Sequence, residues 1–323
     1  MSKPKVIVTR RWPEQVEAEM QRLFDVELNT DDRPMTEDEI RDAMTRADAL
    51  CPTVSDKLGP AIFAGDGICT KILGNFGVGF NHIDIEAAKA AGVRVTNTPG
   101  VLTDATADIA LTLMLMVARR AGEGEREIRE NAWTGWRPTH LLGTQVTGKT
   151  LGIIGMGRIA KAVAHRAHHG FGMDVVFYNR SKVDEAEARS LGARQVDSID
   201  EVLETADFVS LHCPGGAETF HLMNAERIGR MKPSAYLINT ARGDVVDEQA
   251  LATALNDGTI AGTGLDVYQG EPDIAPALLS ARNTVLLPHL GSATTETRTA
   301  MGMKVVENLK AFFAGETPPD VVV

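Results

Sequence analysis

The sequence predicts an α/β fold built on parallel sheets, and three observations carry that prediction. Short apolar runs alternate with helical patterns almost throughout. The chain holds thirty glycines, about 9% of its residues against roughly 7% on average, so tight backbone sites are expected. Its 323 residues suit about two domains at roughly 150 residues each. At 43% hydrophobic and 24% charged, the composition is that of an ordered globular chain.

Taken in order, Lys5 to Thr9 reads as a strand and Pro13 to Phe24 as a helix. Thr36-Glu37-Asp38-Glu39 is a capping box that opens another helix. Strands follow at Ala47 to Cys51 and Lys71 to Asn75, then a helix from Ile83 to Ala91 that Gly92 ends as a C′ glycine. Val93 to Asn97 is the next strand, and Thr98-Pro99-Gly100 breaks the pattern. One long helix is expected from Thr103 to about Asn131, then a loop from Trp133 to His140 with two tryptophans. A second series starts at Thr150, with strands at 150–154, 173–178, 194–196, 207–211, 235–239, 260–265 and 284–287. A last helix runs from about Thr294 to Phe313, and the residues after Gly315 read as a tail.

Charge and composition remove several function classes. A net charge of -11 gives no basic field for nucleic acid or an anionic membrane, so neither partner is expected. Cys51, Cys69 and Cys213 lie far apart without metal-type spacing, which argues against disulfides and structural zinc. His165, His168 and His169 share one helix face, but no carboxylate or Cys neighbour completes a metal set, so no metal is expected. The Met-Ser-Lys-Pro start lacks a signal-peptide pattern, and the greasiest run, Ile109 to Ala118, falls well short of the roughly 20 residues of a membrane span. A cytoplasmic protein is expected.

The sharpest local signal is Leu151-Gly-Ile-Ile-Gly155-Met-Gly157-Arg158-Ile159-Ala160, which follows an apolar strand and opens a helix. Gly155 permits a tight turn, Gly157 lets backbone N–H groups approach a pyrophosphate, and Ala160 is small enough for helix–strand packing. The free N–H groups of the helix start, with Arg158 and Ile159 in its first turn, favour the anion. An acidic residue roughly 20 positions on would bond a ribose 2′-hydroxyl. Here the strand ends in Asn179-Arg180-Ser181-Lys182, and Asp174 lies at its other end, about 16 Å away. Arg180, with Asn179 and Ser181, is therefore placed to meet a 2′-phosphate, and NADP(H) is expected over NAD(H), which stays possible.

Three further segments end strands of the second series, the edge at which open α/β sheets bind ligands. They carry Arg242 with Thr240 and Ala241 before it, Glu271 after Asp266, and His289 with Gly291 and Ser292 after it. Reduction of a 2-oxo acid asks for this set. A guanidinium holds a carboxylate in two parallel bonds, an acid near neutral pKa protonates the new alkoxide, and a carboxylate beside the imidazole fixes its tautomer. Taken singly, each residue also suits a plain salt bridge or a solvated loop.

With these residues the sequence resembles the D-isomer-specific 2-hydroxyacid dehydrogenase family, in its glyoxylate/hydroxypyruvate reductase branch. The resemblance spans nearly the whole chain and rests on Leu73 to Asp84, Thr106-Ala-Asp108, Trp133-Thr-Gly-Trp136, the glycine fingerprint, Leu211-His-Cys213-Pro214, Asn239 to Asp247, Asp266-Val267 and Pro288-His289. It implies two Rossmann-like/flavodoxin-like domains, a cofactor domain at 100–290 inserted into a substrate domain of 1–99 and 291–323. Hinges near 100 and 290 would close a cleft. It also implies Arg242 on the substrate, His289 as acid/base and Glu271 as its partner. By the same resemblance, the N–H groups of Val78 and Gly79 hold the substrate carboxylate, with Ser292 a lesser substrate residue. Thr106 and Asp266 would meet the nicotinamide half, and Cys213, Pro214 and Thr219 the adenosine half. Gly215-Gly216-Ala217 departs from the family's usual sequence there.

The helix after Thr103 and the Trp133–His140 loop resemble the family's dimer interface, so a homodimer is expected, although the two tryptophans also suit a cover for their own core. His82 reads as packing or capping a helix start. The implied activity is NADPH-dependent reduction of small 2-oxo acids, glyoxylate to glycolate and hydroxypyruvate to D-glycerate. An NAD-dependent D-2-hydroxyacid or phosphoglycerate dehydrogenase is the nearest rival, and a nucleotide-sensing corepressor the rival of another class.

Overall fold

The computed structural model describes residues 3–65 and 67–323. In chain order it holds β1 (Lys5–Val8), α1 (Glu14–Leu23), β2 (Asp25–Glu27), α2 (Glu37–Arg46), β3 (Ala49–Cys51), α3 (Pro60–Phe63), β4 (Ile72–Gly74), α4 (Ile85–Ala90) and β5 (Arg94–Thr96). Next come α5 (Thr103–Ala118), α6 (Ala121–Arg129), β6 (Thr150–Ile154), α7 (Arg158–Phe171), β7 (Asp174–Tyr178), α8 (Glu185–Ser190), β8 (Ala193–Gln195), α9 (Ile199–Thr205) and β9 (Phe208–Leu211). The rest are α10 (Ala225–Ile228), β10 (Tyr236–Asn239), α11 (Glu248–Asp257), β11 (Gly262–Leu265), α12 (Pro276–Leu279), β12 (Thr284–Leu286) and α13 (Thr295–Phe313).

Two compact units result, Met1–Leu102 with Ala293–Val323, and Thr103–Ser292. Residues 100–102 thus sit in the first unit, and Gly291 and Ser292 in the second, a shift of two or three residues from the expected boundaries. The first unit has a sheet in the order β2-β1-β3-β4-β5, with every pairing parallel. Alternate strand residues feed opposite faces. Ile7, Leu50, Leu73 and Val95 pack with Ile40 and Met44 of α2, while Val6, Val8, Ala49 and Ile72 pack with Met20 of α1 and Val305 and Leu309 of α13.

The second unit has the order β12-β11-β10-β9-β6-β7-β8, also parallel throughout. The chain reverses direction across the sheet between β6 and β9, so the crevice beyond their carboxyl ends is a topological switch point. The first unit has such a point between β1 and β3.

Four features differ from the sequence reading. The expected single helix from Thr103 to Asn131 is two, α5 and α6, because Arg120 takes a left-handed φ of 53°. Its guanidinium pairs with Glu123, and Thr144 N donates to Ala118 O at 2.7 Å, fixing the break. β2 lies in a polar, mostly exposed segment that gives no strand signal. α3 is a single turn after Gly59 that the pattern does not announce. The residues after Gly315 are no free tail: Val95 N donates to Val323 O, Val322 N donates to Val95 O, and Val321 bridges antiparallel to Thr96. The capping box stands as read, with Thr36 and Glu39 bonded reciprocally.

A close helix crossing holds α13 in the first unit. A Cβ at Gly302 would stand 2.6 Å from Val16 Cγ1 of α1. Gly302→Ala is expected to lower the unfolding free energy by about 1–3 kcal/mol through overpacking. Adding Val16→Ala should restore part of it, as read by denaturant unfolding of the double-mutant cycle.

Candidate active site

Strand ends of the second unit position the chemistry. β6 runs straight into Gly155, whose φ is 90° and whose Cβ would lie 2.9 Å from Cys213 N at the end of β9. Only glycine fits there. Gly157 is the N-cap of the fourteen-residue α7, with no side chain capping the helix. Among the described residues, a Cβ on Gly157 would meet no atom within 4 Å. An uncapped helix start with an open backbone face suits a pyrophosphate. Ala160 is fully buried, as helix–strand packing requires.

Asn179, after β7, accepts from Met156 N at 3.1 Å and donates to Ser181 O and Oγ, so its amide braces the glycine loop. Asp174 sits opposite Thr150 at the far end of β7. A carboxylate nevertheless reaches Arg180: Glu218, from the loop after Pro214, forms an exposed ion pair with it. Sequence order hides this pair because 38 positions separate its members. Thr219 Oγ1 donates to Pro214 O at 2.7 Å, closing that loop on itself. Burial pushes the Cys213 thiol up to about 11, so it stays protonated at neutral pH.

The Arg242 turn is built by Asn239, whose buried amide accepts from Ala241 N and donates to Arg242 O, both at 2.9 Å. Gly243 follows, where a Cβ would stand 1.9 Å from Tyr268 C. Arg242 donates from Nη1 to Ala241 O at 2.6 Å. Burial pulls its pKa down, and the charges of Glu271 and Asp244 oppose that pull. Beside it, Thr240 Oγ1 and Asp244 Oδ1 are buried with no hydrogen-bond partner among the described residues. Orphaned polar atoms at a strand end of this kind suit a bound polar ligand.

Glu271 and His289 meet. Glu271 Oε2 lies 2.7 Å from His289 Nδ1, and Oε1 accepts from Tyr268 N at 2.9 Å. Burial disfavours the carboxylate, but hydrogen bonding and charge from His289, the Tyr268 amide and the Arg242 charge outweigh it, and the Glu271 pKa falls below its ordinary value. An ionised Glu271 is acceptor-only, so Nδ1 carries a proton and Nε2 is the nitrogen left for other work.

His289 has a left-handed φ of 55°, uncommon outside glycine, and its N–H donates to Leu287 O at 3.1 Å. Asp266 holds the next turn: its carboxylate accepts from Leu290 N at 2.6 Å and Gly291 N at 2.7 Å. Burial raises the Asp266 pKa despite those bonds. Thr106 Oγ1 donates to Gly291 O at 3.0 Å. Thr106 and Asp266, expected at the nicotinamide, thus have visible work in fixing the turn behind His289. Tyr268, which sequence reasoning missed, ties the turn further by donating to Leu265 O and Leu287 O.

In the first unit, Val78 and Gly79 lie in the loop after β4, and neither backbone N–H has an acceptor among the described residues. Ser292 is half-buried. A cavity of about 460 Å³ in this unit, lined by residues that include Glu27, Arg33, Asp42 and Arg46, shares none of the candidate site residues; Glu27 and Asp42 are paired with Arg46, Glu39 with Arg33 and Asp38 with Arg41. Trp133 and Trp136 are 51% and 82% exposed, so they do not cover their own core. Among the described residues no group of three or more His, Cys, Asp or Glu side chains is arranged to hold a metal ion. No helix among them is long and apolar enough to cross a membrane.

Comparison with known proteins identifies the family. The family model for the D-isomer specific 2-hydroxyacid dehydrogenase NAD binding domain matches residues 111–291. A glyoxylate reductase of Thermococcus litoralis is 44% identical over 99% of this chain and 97% of its own. A glycerate dehydrogenase of Hyphomicrobium methylovorum is 38% identical over 98% of each chain. The crystal structure of an NADPH-dependent glyoxylate/hydroxypyruvate reductase from Sinorhizobium meliloti, in complex with NADP and malonate, superposes with a TM-score of 0.86 at 34% identity, covering 100% of this chain and 97% of that one. The chain belongs to the D-isomer-specific 2-hydroxyacid dehydrogenase family, in its glyoxylate reductase branch. It is an NAD(P)-dependent oxidoreductase with Rossmann-like domains.

One half-buried base beside the site ties stability to pH. His212 precedes Cys213, and desolvation lowers its pKa from 6.5 to about 4. The unfolded chain therefore takes up a proton before the folded one does, so this contribution to stability is intact above 6.5 and falls away towards 4. The melting temperature is expected to drop less steeply with acidification in His212→Gln than in wild type. Parallel slopes in calorimetry would remove His212 from the account.

Proposed function

We propose that the protein reduces small 2-oxo acids with NADPH, glyoxylate to glycolate and hydroxypyruvate to D-glycerate. The observation that carries this reading is the His289–Glu271 pair at 2.7 Å, with Nδ1 engaged and Nε2 available, on the same sheet edge as Arg242. The α7 N-terminus, Gly157 and the orphaned Thr240 hydroxyl fit a dinucleotide, with Arg158, Ile159, Ala241, Cys213, Pro214, Thr219 and Gly291 assigned to its walls. When bound, the nicotinamide supplies the hydride.

Arg242 holds the substrate carboxylate and polarises the oxo oxygen, and its charge persists because a guanidinium does not lose its proton in proteins. The N–H groups of Val78 and Gly79 are assigned to a substrate carboxylate, and Ser292 to the substrate. His289 delivers the proton from Nε2 to the oxygen that becomes the hydroxyl. Glu271 stabilises the charged imidazole and holds it in one tautomer. Asp266 and Thr106 keep the ring's backbone in place and are assigned to the nicotinamide side.

Arg180 is assigned to a 2′-phosphate. Its exposed pair with Glu218 is worth about 0–1 kcal/mol, whereas each charge-assisted bond to a phosphate is worth about 1.5–3 kcal/mol, so the phosphate displaces Glu218. The exposed Trp133 and Trp136 are assigned to contact with a second copy of the chain in a homodimer.

Nicotinamide absorbance followed with glyoxylate, hydroxypyruvate and pyruvate, each with NADPH and NADH, tests the whole reading. Turnover should be fastest with the first two acids and NADPH; no turnover with any acid would point to a nucleotide-sensing binding protein. His289→Gln should lower kcat about 10²- to 10⁴-fold, and full activity in that variant would remove it from the proton path. Arg180→Ala should lower kcat/KM for NADPH by about ten- to a hundredfold and leave NADH nearly unchanged. An equal loss with both cofactors would contradict the assignment.

A further inference from the structure

The loop that carries Val78 and Gly79 is held by its carbonyls. Gly77 O accepts from Asn75 Nδ2 at 3.1 Å and from Thr98 N at 3.0 Å. Val78 O accepts from Asn97 Nδ2 at 2.8 Å, and Gly79 O from Asn75 Nδ2 at 3.0 Å. Three successive carbonyls are thus engaged, while the amides of Val78 and Gly79 have no acceptor among the described residues. Peptide planes pinned by their oxygens leave their N–H groups with little freedom.

Asn75 makes two of these contacts from a fully buried position. Its orientation is set by one neighbour, His82, whose Nε2 lies 2.9 Å from Asn75 Oδ1. Because the amide nitrogen is spent on two carbonyls, the oxygen must be the end that faces the ring, and the ring must donate from Nε2. His82 is itself anchored, since its carbonyl accepts from Leu58 N at 2.8 Å just before the Asp84 cap of α4. Without that donor, Oδ1 becomes a buried unsatisfied acceptor, and the amide loses its reason to present nitrogen to the loop.

We infer that His82 is a positioning residue: through Asn75, which holds Gly77 O and with it the peptide plane of the Val78 N–H, it aims that N–H at a carboxylate, while Asn97 on Val78 O sets the Gly79 N–H beside it. The inference rests on the reading of those amides as holders of the substrate carboxylate. It predicts a defect confined to anion binding. In His82→Leu, the KM for glyoxylate and the dissociation constant for oxalate, a carboxylate probe followed by calorimetry, should rise about five- to a hundredfold, the range of one unsatisfied buried acceptor. kcat and the KM for NADPH should stay within about threefold, and His82→Gln, which keeps a donor, should recover most of the loss.

A folded His82→Leu with unchanged KM and oxalate binding, or a loss that falls on kcat or NADPH, overturns the inference. If that variant does not fold, His82→Met against His82→Gln makes the same comparison. A wild type that neither reduces glyoxylate nor binds oxalate sinks the functional reading and this one together. A wild type that binds oxalate without turnover leaves this one to be judged on binding alone, and one that does both while His82→Leu matches it sinks this one alone.

Discussion

A single hydrogen bond, between the Glu271 carboxylate and His289 Nδ1, organises the second unit's chemistry. It fixes which nitrogen of the imidazole carries the proton and which one faces outward. For that to hold, neither partner can drift. Glu271 is kept by the Tyr268 amide, and His289 sits in a left-handed backbone that only surrounding bonds sustain. Those bonds come from Leu287 on one side and from Asp266, through Leu290 and Gly291, on the other. The acid Asp266 is buried and raised in pKa, so burial resists its charge while the two amides favour it.

Both units use the same architectural device. Each has a parallel sheet whose strand order reverses, and the loops at the carboxyl ends carry the candidate groups. In the second unit glycine makes this possible at Gly155, packed on Cys213, and at Gly243, packed on Tyr268. In the first, side-chain amides of Asn75 and Asn97 do the comparable work by tying down carbonyls. One unit relies on the absence of a side chain, the other on side chains that imitate backbone.

Much of this was legible in the sequence because it is local. The Thr36–Glu39 capping box, the Gly155-Met-Gly157 turn and the alternation of strands with helices each need only a few consecutive residues. Arg242, Glu271 and His289 were legible as three strand ends of one series, although spacing alone does not say that Glu271 reaches His289. What stayed hidden depends on distant partners. The α5/α6 break needs Arg120 to accept a left-handed turn that Thr144 stabilises from beyond the helix. Glu218 reaches Arg180 from another loop, and the carboxyl-terminal valines pair with β5 with no periodicity to announce it. Asn75 reads as the last residue of a strand until its three partners are seen.

The bond from Thr106 to Gly291 spans 185 positions, and its two residues lie in the opening helix of the second unit and among that unit's last residues. A segment whose ends are stitched together in this way enters its host as a short loop does, whatever its contour length. The entropy of closing a chain grows only slowly with the number of residues enclosed, and once the ends are joined internally the host is spared even that. A whole folding unit can therefore be inserted between β5 and α13 without weakening the unit that hosts it.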